Sequence, residues 1–133
     1  LKLWARVMHI NLTAPFLLSR ACLPLLRKSA DARVVFTSTG VAQQGHAYWG
    51  AYGVSKAGAD NLMQIMADEL EANTSIRVNS IDPGIVATRI RRLAFPAEDA
   101  SKLPTADSIM PAYLYLLGPD SKNETGQIFL AQA

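Results

Sequence analysis

Arg33-Val34-Val35-Phe36-Thr37-Ser38-Thr39-Gly40 is the stretch from which the fold is read. An apolar, β-branched run stopped by three hydroxyls and a glycine is the pattern of a short buried strand leaving a parallel sheet. In open α/β sheets ligands bind outside such carboxyl ends, so the hydroxyls stand where chemistry is expected. Downstream, Ile76-Arg77-Val78-Asn79-Ser80-Ile81 is a second short strand, and it runs into Asp82-Pro83-Gly84-Ile85-Val86-Ala87-Thr88. Proline and glycine there turn the backbone sharply, and the glycine allows a ligand to come close. Between the strands, from Ala51 to about Ala72, apolar residues recur at helical spacing. Strand, helix, strand is a βαβ order and predicts an α/β fold.

The intervening helix opens with Ala51-Tyr52-Gly53-Val54-Ser55-Lys56-Ala57. Tyrosine and lysine four apart lie on one face, one turn from each other. A phenol titrates near about 10, and a neighbouring ammonium stabilises its phenolate. Such a tyrosine can pass a proton to or from a substrate oxygen. A pair at this spacing also occurs by chance on solvated helices. Its meaning here comes from the hydroxyl turn before it and the Pro-Gly turn after it.

Upstream, a helical pattern runs from about Lys2 to Lys28, with Val7, Ile10, Ala14, Leu17, Leu18 and Ala21 at threes and fours. Pro15 has no amide hydrogen, so a bend or break is expected near Asn11. On residue type alone, Asn11 reads as a helix N-cap.

Strand with a hydroxyl end, YxxxK helix, (N/D)PG turn followed by threonine, and upstream asparagine together resemble the classical short-chain dehydrogenases/reductases, over nearly all 133 residues. The resemblance implies part of a Rossmann-like doubly wound parallel sheet, with about three strands and long flanking helices. It implies that residues 1–133 are the C-terminal part of a single NAD(P)-binding domain. No glycine precedes Gly40, so the Gly-rich dinucleotide turn and the N-terminal βαβ units of the family are not in this sequence, and a fragment that is inactive alone is expected.

The same resemblance implies roles. Tyr52 is the acid/base and Lys56 lowers its pKa and bonds the nicotinamide ribose. Thr39, thirteen residues before the tyrosine, stands where the family usually has serine; its hydroxyl can donate the same bond to a substrate carbonyl, while its methyl restricts χ1. Ser38 is the alternative one position away. The backbone carbonyl of Asn11 holds a water linked to the lysine. Pro83 and Gly84 lie against the nicotinamide, the backbone at Ile85 and Val86 meets its carboxamide, and Thr88 bonds the carboxamide or the phosphates. The cofactor implied is NAD or NADP, with NADP slightly favoured. The substrate implied is a small carbonyl compound or alcohol, and the assembly is a homodimer or homotetramer through the two long helices.

Elsewhere the chain is less specific. Val41 to Gly50 reads as a loop in which Gln43, Gln44, His46, Tyr48 and Trp49 either line a substrate pocket or pack and face solvent. Arg89 to Ala106 fits the family's substrate lid; Arg89, Arg91 and Arg92 meet an acidic substrate or simply solvent. Thr105 or Asp107 caps a last helix, Ser108 to Leu117, with Pro111 in its first turn. Thr125 to Leu130 resembles the family's TGQ edge strand.

Composition sets the outer bounds. Half the residues are hydrophobic, 18% are charged and the net charge is +2, a globular balance without a nucleic-acid footprint. No run of about 18 uncharged apolar residues offers a membrane span, and no metal site is expected. A lone cysteine, Cys22, suits a reducing cytoplasm. Two other readings stand beside the oxidoreductase: a catalytically inactive relative that serves as an oligomerisation or interaction module, and an epimerase or dehydratase of the related extended type.

Overall fold

A computed structural model describes residues 1–132. Three strands, β1 (Arg33–Thr37), β2 (Arg77–Asp82) and β3 (Ile128–Leu130), form one parallel sheet in the order β1-β2-β3. Val34 lies opposite Val78, Phe36 opposite Ser80, and Ser80 opposite Ile128. β2 is central, and its Val78, Asn79, Ser80 and Ile81 are all buried. A strand covered on both faces needs no polar alternation, and its buried polar members are hydrogen-bonded: Ser80 Oγ donates to Asp60 and Asn79 Nδ2 to the Glu124 carbonyl. β3 begins three residues later than the sequence pattern predicts. Gly126 has a φ of +71°, and Thr125 pairs through its side chain, its Oγ1 accepting from the Val78 amide at 3.2 Å. Regular strand geometry therefore starts only past Gln127.

One face of the sheet carries α4 (Gly50–Glu71), which buries Ser55, Ala59, Asp60, Met63, Ala67 and Leu70 along a single stripe. Phe36, Ile76 and Val78 meet that stripe, and Leu12, Leu23 and Leu26 close the cluster from the N-terminal helices. Strand residues alternate between faces, so Arg33 and Thr37 point the other way. There α6 (Met110–Leu117) and the turn after it cover them: Tyr113 Oη lies 3.4 Å from Thr37 Oγ1, and Arg33 Nε donates to Ser121 Oγ at 3.3 Å. Helices on both faces of a parallel sheet make this a partial Rossmann-like arrangement. β1 has a sheet partner on one side only among the described residues.

The expected discontinuity near Asn11 takes a particular form. The N-terminal helices are α1 (Lys2–Met8) and α2 (Ala14–Leu26), joined without a break by a π-helical turn, His9–Thr13. Pro15 supplies no amide hydrogen to the Asn11 carbonyl, and a π turn is one way a helix absorbs that mismatch. Asn11 is not an N-cap. Thr13 precedes α2 without a capping bond, and the Asn11 side chain points to a different helix.

The segment after the Pro-Gly turn is more ordered than a loop. It holds α5 (Arg89–Ala94) and a 3-10 turn at Ala100–Lys102. Likewise a short helix, α3 (Gly40–Gln43), begins the segment that leads to α4. Of the two candidate caps before α6, Thr105 accepts from the Ser108 amide at 3.3 Å, while Asp107 begins a 3-10 turn. Among the described residues no helix is long and apolar enough to cross a membrane.

Candidate active site

Tyr52 and Lys56 stand on the first turns of α4, at the carboxyl ends of β1 and β2. The π turn is pressed against this part of the helix because Gly58 has no side chain: a Cβ there would sit 3.0 Å from Leu12 Cδ2. Close approach lets Asn11 Nδ2 donate to Ser55 Oγ at 3.1 Å, and Ser55 Oγ donates to the Tyr52 carbonyl at 2.8 Å. Asn11 is thereby tied to the turn that carries both the phenol and the ammonium. Lys56 Nζ donates to the Thr37 carbonyl at 2.7 Å, which anchors the lysine to the end of β1. Burial pushes its pKa below the ordinary lysine value, against a smaller upward pull from Asp60.

Thr39 and Ser38 are separated by the pleat of the chain as it leaves β1. Thr39 lines the cavity, half-buried, at the N-terminus of α3. Ser38 faces the core at 2% exposure and donates to the Asp60 carboxylate. The alternative register that would give Ser38 the site is therefore ruled out by its orientation.

Pro83 and Gly84 form the turn after β2, with Gly84 at φ +69°. The Gly84 amide donates to Asp82 Oδ1 at 2.9 Å, and Gln132 Nε2 donates to the carbonyls of Pro83 (2.7 Å) and Ile85 (2.9 Å). A Cβ on Gly84 would lie 2.9 Å from that same nitrogen. Val86 is buried, and Thr88 Oγ1 accepts from the Arg91 amide at 3.2 Å, capping α5. Asn11, Thr39, Tyr52, Lys56, Pro83, Gly84, Ile85, Val86 and Thr88 all line one cavity of about 840 Å³.

A family model described as short chain dehydrogenase matches residues 1–99. The chain belongs to the short-chain dehydrogenase family. Among the relatives of this short-chain dehydrogenase, the Escherichia coli (strain K12) oxidoreductase YciK is 48% identical over 131 residues, covering 98% of this chain and 51% of that protein. A 3-oxoacyl-[acyl-carrier-protein] reductase from Vibrio cholerae is 30% identical over 132 residues, covering 93% and 54%. Among solved structures, a short chain dehydrogenase from Escherichia coli CFT073 complexed with NADPH superposes with a TM-score of 0.95 at 48% identity, covering 99% of this chain and 54% of that one. The chain spans about half the length of the relatives it matches.

Four residues of this short-chain dehydrogenase were not singled out by its sequence. Asp60 is buried and accepts from Ser38 Oγ, from Gln43 Nε2 at 2.8 Å and from Ser80 Oγ at 2.7 Å. Its signal was an acid on the apolar stripe, one turn beyond Lys56. Gln132 carried no local signal, since its carbonyl partners lie nearly fifty residues away. Phe95 and Glu98 both engage Arg91: the guanidinium sits 3.7 Å above the Phe95 ring and makes two bonds to Glu98, at 2.6 and 2.7 Å. Trp49 and His46 line the cavity, whereas Gln43 turns to Asp60 and Tyr48 is fully exposed.

Proposed function

We propose that this chain carries the acid–base side of an NAD(P)-dependent oxidoreductase that moves a hydride between a nicotinamide and a small carbonyl compound or alcohol. The observation that supports this is the convergence of Thr39, Tyr52, Lys56 and the Asp82–Thr88 turn on one cavity at the carboxyl ends of parallel strands. The cavity suits a nicotinamide group. Its volume falls in the range of cofactor and ligand pockets, Gly84 brings bare backbone to its wall, and Lys56 spends one of three N–H donors on Thr37. Lys56, Pro83, Gly84, Ile85, Val86 and Thr88 would hold the group there, and NADP is favoured because relatives are crystallised with NADPH and NADP. A bound nicotinamide supplies or accepts the hydride.

Tyr52 gives its phenolic proton to the substrate oxygen during reduction and takes it back during oxidation. Thr39 donates a hydrogen bond to the same oxygen, which steadies the charge that develops there. Lys56, held by the Thr37 carbonyl, favours the phenolate left behind. The Asn11 carbonyl, given no donor by Pro15, is the acceptor that holds a proton-relaying water between itself and Lys56.

Apolar side chains left exposed on α2 and α4, including Phe16, Leu17, Leu25, Val54 and Ile65, support assembly through these helices into a homodimer or tetramer. A free Cys22 fits a cytoplasmic setting.

The test uses the full-length protein. NADPH and NADH are titrated by nicotinamide fluorescence, and a panel of aldehydes and ketones is assayed with wild type and Tyr52→Phe. The expected result is retained NADPH binding with turnover reduced by about 10²–10⁴-fold in the variant. Failure to bind either nucleotide, or full turnover by Tyr52→Phe, overturns the reading.

A further inference from the structure

The outer wall of the cavity has its own chemistry. Trp49 lies against Tyr52, ring centroids 5.6 Å apart at 54°, and against Phe95, 6.2 Å apart at 26°. These rings form a continuous apolar path that starts at the acid–base phenol and runs outward to the lid helix α5. Ile90 and Ala94, from the same helix, add to it. A substrate whose oxygen reaches Tyr52 must lay its remaining atoms along this path. Aromatic faces reward a flat apolar group through offset or tilted contacts.

Among the described residues, Arg91 is the only arginine or lysine besides Lys56 that lines the cavity, and it is already engaged. Its Nε and one Nη donate to the two oxygens of Glu98, and its face lies over Phe95. The hydrogen bonds hold the Glu98 carboxyl below the usual carboxylate range and the guanidinium above its own. A carboxylate entering here would meet a guanidinium whose charge Glu98 already offsets, and would be repelled by Glu98 itself.

Resting on the oxidoreductase reading above, we propose that the site selects neutral aldehydes or ketones bearing an aryl group, and that Glu98 enforces this by occupying Arg91. Glu98 is thus a specificity residue that acts through Arg91.

The experiment compares benzaldehyde with 4-carboxybenzaldehyde by kcat/KM, and benzyl alcohol with 4-(hydroxymethyl)benzoate by calorimetry on the NADP-loaded full-length protein. The wild type is expected to favour the neutral member of each pair by about tenfold or more. Glu98→Gln should shrink that preference by about fivefold, and the double variant Arg91→Gln/Glu98→Gln should restore it, since the effect runs through the guanidinium. Trp49→Ala should lower the ratio of benzaldehyde to propanal by about tenfold. Equal use of the neutral and acidic compounds by the wild type, or a preference unmoved by Glu98→Gln in a folded variant, overturns the proposal. Calorimetry distinguishes the two failures: selective binding without turnover sinks only the catalytic reading, and unselective binding sinks this one.

Discussion

Asp60 accepts hydrogen bonds from Ser38, Gln43 and Ser80, and so joins the end of β1, the short helix α3 and the central strand to α4. Asp60→Asn keeps the shape but turns one acceptor into an NH₂ that faces donors. A buried network left partly unsatisfied costs about 1–3 kcal/mol per orphaned group. Urea unfolding of the full-length protein should show a loss of that size, and Ser38→Ala, which removes a single donor, should lose less. Equal stability of Asp60→Asn and wild type would contradict this role. The residue also shows where a sequence stops being legible. Tyr52 and Lys56 announce themselves because they interact through one helical turn, whereas the partners of Asp60 lie 17 to 22 residues away and only folding brings them together. Thr39 and Ser38 are a similar case. Both hydroxyls are visible in the sequence, but which of them faces the cavity is decided by the backbone as it leaves β1.

At the scale of elements, the sheet and its turns were legible because each depends on short-range chemistry: a β-branched run, a proline, a glycine with positive φ. The N-terminal helices were legible only in part. Pro15 foretold a disturbance near Asn11, but the chain accommodates it as a π turn wedged against α4 instead of a capped restart, since the Asn11 amide finds a better partner in Ser55. That wedge depends on Gly58. In Gly58→Leu the added side chain must displace Leu12, and overpacking of this kind costs about 1–3 kcal/mol. The variant should lose stability by thermal unfolding and lose turnover as well, because the Asn11–Ser55 bond is drawn apart; intact turnover would argue against any need for the bond. In the sequence the lid, Arg89 to Ala106, is marked only by its resemblance and its three arginines. Its helix and the Arg91–Glu98 pair were hidden because the pairing closes across a turn rather than along one helix.

For the whole molecule, the exposed apolar faces of α2 and α4 set the expectation for assembly. Ile65, at 49% exposure, lies on α4 away from its buried Ala59–Met63–Ala67 stripe. A charge there meets apolar surface in any packed partner, so Ile65→Glu should move the full-length protein to a smaller species in sedimentation velocity while leaving helix content unchanged. An unaltered sedimentation coefficient would place the assembly surface elsewhere. β1 carries a different consequence. A strand with one bare flank is a template, since its free amides and carbonyls will accept any extended segment that arrives in register. For this sheet the same row of groups is the growing point for a further strand in one circumstance and the seed of aggregation in another, so the solubility of residues 1–133 expressed alone will depend on what shields that flank.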